Sequence, residues 1–283
     1  MFGTSNQEIV ERYRKDGFVV FPSLLPPELL KEMQAELPAV LDEEGPQRFV
    51  EDDGSTVRAV YGLHRKSGVW RTVAESSVLA EIARLLLGED MYVFQWKINP
   101  KAAESGEVWE WHRDFTFWAR ADGMPEPLAL TAGVLLDDVT EENGPLQLIP
   151  GTHRVTTSFE EAEQAPSVHA SEHGEDNWAS LVSTNLAHSI PDDVAEDIAG
   201  ERGLVKVTGE AGTVVFFDSN ILHGSAPNRS SRGRTLGLVS YNPVRNVAVG
   251  WDHPRPAFFV NREAMPLDVR PFEGLHVPSG VSD

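Results

Sequence analysis

The sequence predicts a mainly β protein, a sandwich or barrel with flanking helices, and three observations carry that expectation. The three segments expected to be helices all lie within about the first 90 residues. Short runs rich in β-branched and aromatic residues then take over, bounded by Gly, Pro, Asn or Asp. No helices alternate between these runs, which argues against a doubly wound parallel sheet.

Taken in order, apolar residues recur at helical spacing over residues 5–15. A second helix is expected in LLPPELLKEMQAEL, because Pro26 and Pro27 suit a first turn whose N–H groups lack partners and good helix formers follow. An irregular segment containing the acidic turn Glu51-Asp52-Asp53-Gly54-Ser55 comes next, then a third helix over residues 73–87 closed by Gly88. Strands are expected in MYVFQWKIN, ALTAGVLLDD, GLVKVT, GTVVFFDS and TLGLVSYN. Residues 155–200 read as an acidic, helix-tending and loop-like insertion between strands, serving either as a lid or as a solvated excursion. The expected organisation is one domain over residues 1–283: N-terminal helices to about 90, a β core over about 91–250, and a C-terminal tail.

Composition narrows the chemistry. Twenty-four Lys plus Arg against 44 Asp plus Glu give a net charge of −20, which repels phosphate backbones and anionic membranes, so neither nucleic acid nor a membrane is an expected partner. Cysteine is absent, which excludes disulfides, thiolate metal sites and a cysteine nucleophile; any metal must rest on His, Asp and Glu. There is no run of 18 apolar residues, and MFGTSNQEIVERYRKDG has the character of neither a secretory signal nor a transit peptide, so a soluble, cytoplasmic protein is expected.

One constellation carries chemistry. In WEWHRDF, His112 and Asp114 stand two apart, and on a strand their side chains leave the same face toward one ion. His223 follows an apolar strand in a Gly-containing turn, 109 residues beyond Asp114. Two imidazoles and one carboxylate leave the far side of a metal open for a bidentate cosubstrate and dioxygen, a ligand set that suits iron(II). Arg234 opens the strand RTLGLVSYN and is expected next to the His223 strand if a hairpin-like loop joins them; its fork suits the distal carboxylate of 2-oxoglutarate. Gln95 and Asn99 are four apart and therefore share a strand face. The remaining histidines need no chemical role, and His169 and His173 lack the HExxH pattern of a helical zinc pair.

The ordered set His112-x-Asp114, NGPLQLIPGTH, His223-Gly224-Ser225 and Arg234 resembles the phytanoyl-CoA dioxygenase-like branch of the iron(II)/2-oxoglutarate oxygenases, over most of the chain. Within it, TVRAVYGLHR, YVFQWKIN and WEWHRDFTFWARADGMP look most like bacterial L-proline trans-4-hydroxylases and ectoine hydroxylases. The resemblance implies a double-stranded β-helix, the jelly roll of cupin-like proteins, with iron(II), 2-oxoglutarate and dioxygen as cofactor and cosubstrates and ascorbate as a reductant in vitro. It implies Asn99, Thr131, Ser225 and Arg234 near 2-oxoglutarate, and Gln95, Trp118 and Arg255 near the substrate. The chain departs from ectoine hydroxylases at Arg113, where they carry serine, and at Leu238, where they present phenylalanine. The expected activity is hydroxylation of a small polar molecule, first a free cyclic amino acid such as L-proline, by a monomer or homodimer. Alternatives are ectoine, a larger natural-product intermediate, and a non-catalytic jelly roll that binds a ligand.

Overall fold

The computed structural model describes residues 5–155, 182, 186, 188–249 and 255–272. Helix α1 (Asn6–Asp16) begins where Ser5 and Glu8 cap each other reciprocally and stops at Gly17, whose φ of 85° a side chain would resist. Strand β1 (Phe18–Phe21) follows, and α2 (Pro27–Asp42) opens on the paired prolines as expected. The segment around the acidic turn is not irregular: β2 (Arg48–Val50) and β3 (Val57–Val60) pair across it. The single helix expected over 73–87 is two, α3 (Val69–Glu75) and α4 (Ser77–Leu87). They part at Ser76, which is extended because the C-terminal segment bridges there and Arg270 takes the N–H of Ser77.

Beyond α4 the chain alternates between two sheets. Strands β4 (Met91–Lys101), β6 (Leu130–Leu135), β9 (Val214–Asp218) and β11 (Arg234–Pro243) join the seven-stranded sheet, ordered β1-β9-β6-β11-β4-β3-β2. Strands β5 (Trp109–His112), β7 (Leu146–Leu148), β8 (Val205–Val207) and β10 (His223–Ser225) form the four-stranded sheet, ordered β5-β10-β7-β8. Among the described residues two helices interrupt this series, α5 (Asp114–Asp122) and α6 (Asp192–Arg202). Pairing within the sheets is antiparallel throughout.

The large sheet is covered on both sides, which is why its strands read as nearly continuous apolar runs. Its outer face carries Trp96, Ile98, Phe216 and Tyr241 against Met33, Trp70 and Leu79 of the helices. Its inner face meets the small sheet through Leu135, Val215, Leu236 and Leu238 against Leu146 and Leu148. Two facing antiparallel sheets traversed alternately make a cupin-like jelly roll, as the sequence led us to expect.

That alternation corrects one local expectation. His223 is not in a turn after a strand but begins β10, and β10 pairs with β5 and β7 while β11 pairs with β4 and β6. Arg234 therefore comes from the sheet opposite His223, because the connection crosses between layers instead of folding back as a hairpin. Of the expected insertion, Val155, Val182, Leu186 and residues 188–200 are described, α6 among them; the remainder, with His169 and His173 and the choice between lid and solvated excursion, lies outside the described residues, as does His253.

Candidate active site

The two histidines meet because of strand register. His112 and His223 are direct partners across β5 and β10, with ring centroids 4.2 Å apart. Each Nδ1 rests against a carbonyl two residues back, Glu110 at 2.6 Å and Ile221 at 3.0 Å, so Nδ1 carries the proton and Nε2 turns its lone pair into the cavity. Burial, reinforced by the neighbouring imidazole, lowers the pKa of His112 to about 3; burial lowers that of His223 too, against the pull of Asp114. Both are neutral imidazoles, the form that binds metal.

Asp114 reaches them differently from the expected shared strand face. The strand ends at His112, Arg113 is the N-cap, and Asp114 is the first residue of α5. Arg113 is held by Val155 O and Asn220 Oδ1, so the turn is braced from both sides. Asp114 Oδ1 lies 4.0 Å from His112 Nε2 and Oδ2 lies 3.9 Å from His223 Nε2. Burial pushes this carboxyl up, but positive charge around it, the Lys97 ammonium first, outweighs burial and holds its pKa below the ordinary value. One donor atom from each of the three lies within 4.8 Å of the others, close enough to meet on one divalent ion.

A cavity of about 430 Å³ runs from this triad to Arg234, lined also by Asn99, Ser225, Leu236 and Leu238. Arg234 is buried, and burial lowers its pKa to about 10, which leaves it charged near neutrality. Its Nε and Nη2 both donate to Gly144 O, at 2.9 and 2.7 Å, and Nη1 donates to Asn99 O at 3.1 Å. Of five N–H groups, one on each terminal nitrogen remains for a ligand. Gly144 presents its carbonyl from a φ of 75°. Lys101 donates to Ser225 Oγ at 2.8 Å, so the Ser225 hydroxyl proton is free to serve a carboxylate. The Oδ1 of Asn99 is buried without a partner among the described residues. These donors and the triad fit a small dicarboxylate bound next to a metal.

A second cavity of about 330 Å³ shares Lys97, Trp109, His112 and Asp114 with the first and is walled by Tyr61, Gln95, Phe117, Trp118, Leu186 and Arg255. Gln95 and Asn99 do share the inner face of β4, one opening to each cavity. Trp118 is buried edge-on to Phe94. Arg255 is already answered by Asp122, Nε to Oδ1 at 2.9 Å and Nη2 to Oδ2 at 2.5 Å. Thr131 faces inward but spends its hydroxyl on Ser240 Oγ at 2.9 Å, four residues along β11 from Leu236, and lines neither cavity. Sequence reasoning passed over Lys97, Lys101 and Tyr61; alternation with Gln95 and Asn99 along β4 was the available signal for the two lysines. His64 and His153 are tied to the carbonyls of Ala257 and Arg14, away from the triad.

Comparison with known proteins agrees with this geometry. The family model for phytanoyl-CoA dioxygenase matches residues 13–236. An L-proline trans-4-hydroxylase of Streptomyces griseoviridis is 36% identical over 257 residues, covering 90% of this chain and 92% of the relative. An ectoine dioxygenase of Stutzerimonas stutzeri is 35% identical over 282 residues, covering 95% and 88%. The crystal structure of EctD from S. alaskensis with 2-oxoglutarate and 5-hydroxyectoine superposes with a TM-score of 0.78 at 26% identity, covering 96% of this chain and 90% of that one, and its form with bound Fe gives 0.76. With its jelly roll, its buried His-Asp-His cluster and a family match across most of its length, this chain belongs to the phytanoyl-CoA dioxygenase family.

Proposed function

We propose that the chain is an iron(II)- and 2-oxoglutarate-dependent hydroxylase of a small polar substrate, first a free cyclic amino acid such as L-proline. The observation that carries this reading is the cross-strand pair His112 and His223 closing on Asp114 at one end of a cavity whose other end holds the open fork of Arg234. His112, Asp114 and His223 would hold the metal, and Arg234 with Ser225 the far carboxylate of 2-oxoglutarate, Asn99 standing beside them. When bound, iron(II), 2-oxoglutarate and dioxygen supply the oxidising power: the oxoacid becomes succinate and carbon dioxide, and a substrate C–H becomes C–OH.

The protein's part is positioning. Lys101 orients the Ser225 hydroxyl, and the carbonyls of Gly144 and Asn99 hold the guanidinium in its plane. The second cavity would seat the substrate, with Gln95 meeting its polar end and Trp118, Tyr61 and Phe117 packing on its body. Arg255, held by Asp122 behind it, forms part of the wall of that cavity. Residues 1–283 act as one domain in this reading, which the packing of α2, α3 and α4 on the outer face of the large sheet supports. No helix among the described residues is long and apolar enough to cross a membrane.

The test is aerobic incubation with iron(II), ascorbate and 2-oxoglutarate against L-proline, L-pipecolate, other aliphatic amino acids and ectoine, reading succinate and the incorporated oxygen by mass spectrometry. A hydroxylated product in step with succinate is the expected result. Turnover of ectoine alone would replace the amino-acid reading, and absence of succinate from iron-loaded protein would favour a binding protein. Asp114→Ala should abolish succinate release; full activity in that variant would refute the metal assignment.

A further inference from the structure

The charges around the second cavity are answered unequally. Arg255 is bound at both ends by Asp122, which also has Arg262 at 3.6 Å. Lys97 is buried on the inner face of β4 where the two cavities meet, yet its nearest anion among the described residues is Asp114 Oδ1 at 3.8 Å. That is beyond hydrogen-bonding distance, and the Asp114 carboxylate is turned to the two imidazoles. Its other contact is with the ring face of Tyr61, 5.6 Å away. An ammonium that lines a cavity with no hydrogen-bonded anion among the described residues is open to a carboxylate brought by a ligand, and a charged pair in so enclosed a place is little screened by water.

A complementary acceptor stands beside it. Gln95 lies two residues before Lys97 on the same face of β4. Its Nε2 donates to Phe259 O at 2.8 Å, which orients the amide and leaves Oε1 buried without a partner among the described residues. An unpartnered buried carbonyl calls for an N–H donor. The carboxylates near this cavity are committed, Asp114 to the triad and Asp122 to two arginines, so a ligand's ammonium would find an amide oxygen and aromatic faces there instead of a carboxylate.

We infer that Lys97 anchors the substrate's carboxylate while Gln95 Oε1 accepts its ring N–H, so that the cavity selects a small zwitterion with both groups. This deepens the hydroxylase reading above and rests on it. Tyr61, Phe117 and Trp118 then pack on the ring between the two polar ends.

The test uses whichever of L-proline, L-pipecolate or ectoine the wild type accepts, together with its carboxamide. Affinities are measured by anaerobic calorimetry on iron(II)-loaded wild type, Lys97→Met and Lys97→Arg, with 2-oxoglutarate titrated separately and KM and kcat read alongside. Lys97→Met should weaken the acid by about 30- to 1,000-fold, the loss seen on truncating one partner of a buried charge pair. It should leave 2-oxoglutarate within about threefold, bind acid and carboxamide alike, and unfold at no lower temperature than the wild type without ligands. Lys97→Arg should recover most of the loss. Equal weakening of acid and carboxamide, or a loss confined to 2-oxoglutarate, would overturn the inference and make Lys97 a support for Asp114 or for the cosubstrate. Unchanged affinity in Lys97→Met, with a wild type that turns over, would remove Lys97 and leave the hydroxylase reading standing; an iron-loaded wild type that releases no succinate with any member of the wider panel would remove both.

Discussion

Arg234 gives three of its five N–H groups to carbonyl oxygens, and the two that remain define what it recognises. A lysine there keeps the charge but loses the planar fork, so Arg234→Lys should raise the KM for 2-oxoglutarate about 10- to 100-fold with a smaller change in kcat, measured by succinate release. Asp218 behaves differently because it is half-buried with no salt bridge among the described residues. Burial raises its pKa to about 7, opposed by bonds from Asn220 N at 2.8 Å and Tyr13 Oη at 3.4 Å. The folded state thus binds a proton that the unfolded chain releases near the ordinary value of 3.8. The associated stability is present below that value and is lost as pH rises through about 7. Asp218→Asn keeps a neutral side chain of the same shape, so it should be more stable than the wild type above pH 7 by about 1–2 kcal/mol, the gain vanishing near pH 4. Urea melts at both pH values decide it, and a gain independent of pH would contradict the assignment.

At the scale of elements, the site depends on β5 and β10 lying close enough for His112 and His223 to share an ion. Gly224 allows that approach: a Cβ there would stand 2.9 Å from the carbonyl oxygen of Trp109, a backbone atom that cannot rotate aside. Gly224→Ala should therefore push the strands apart, weakening iron(II) binding about tenfold or more while the far-ultraviolet circular dichroism stays unchanged. Elements also show where local sequence was a sufficient guide. Pro26-Pro27 and Gly88 marked helix ends correctly because capping is a property of a few consecutive residues. The break at Ser76 was not legible, since its cause is a bridge to Arg270 far along the chain. Asp114 was expected on a strand for the same reason: the helix it begins is set by partners far along the chain, Phe115 N donating to Ser219 O while Phe117 and Trp118 pack among Tyr61, Phe94 and Phe259.

For the whole molecule, a metal and cosubstrate that bind only the folded state should stabilise it by mass action. At a hundredfold excess over Kd the gain is about 2.7 kcal/mol per ligand, or a rise in Tm of about 5–10 °C for a chain of this size. Scanning fluorimetry with iron(II) and 2-oxoglutarate should show that rise, chelator should abolish it, and Asp114→Ala should not show it at all. The sequence by itself determined the fold class and the set of reactive groups: strand periodicity, the lack of cysteine, His112-x-Asp114, His223 and Arg234 are all visible in residue types and spacing. Only the tertiary structure decided which groups face one another. It set His112 against His223 across two strands, placed Arg234 on the opposite sheet, paired Arg255 with Asp122, turned Thr131 to Ser240, and left Lys97 3.8 Å from Asp114, beyond hydrogen-bonding distance. The physical reason is that spacing along a chain assigns a side chain to a face, whereas its charge partners come from other strands brought alongside by packing between layers.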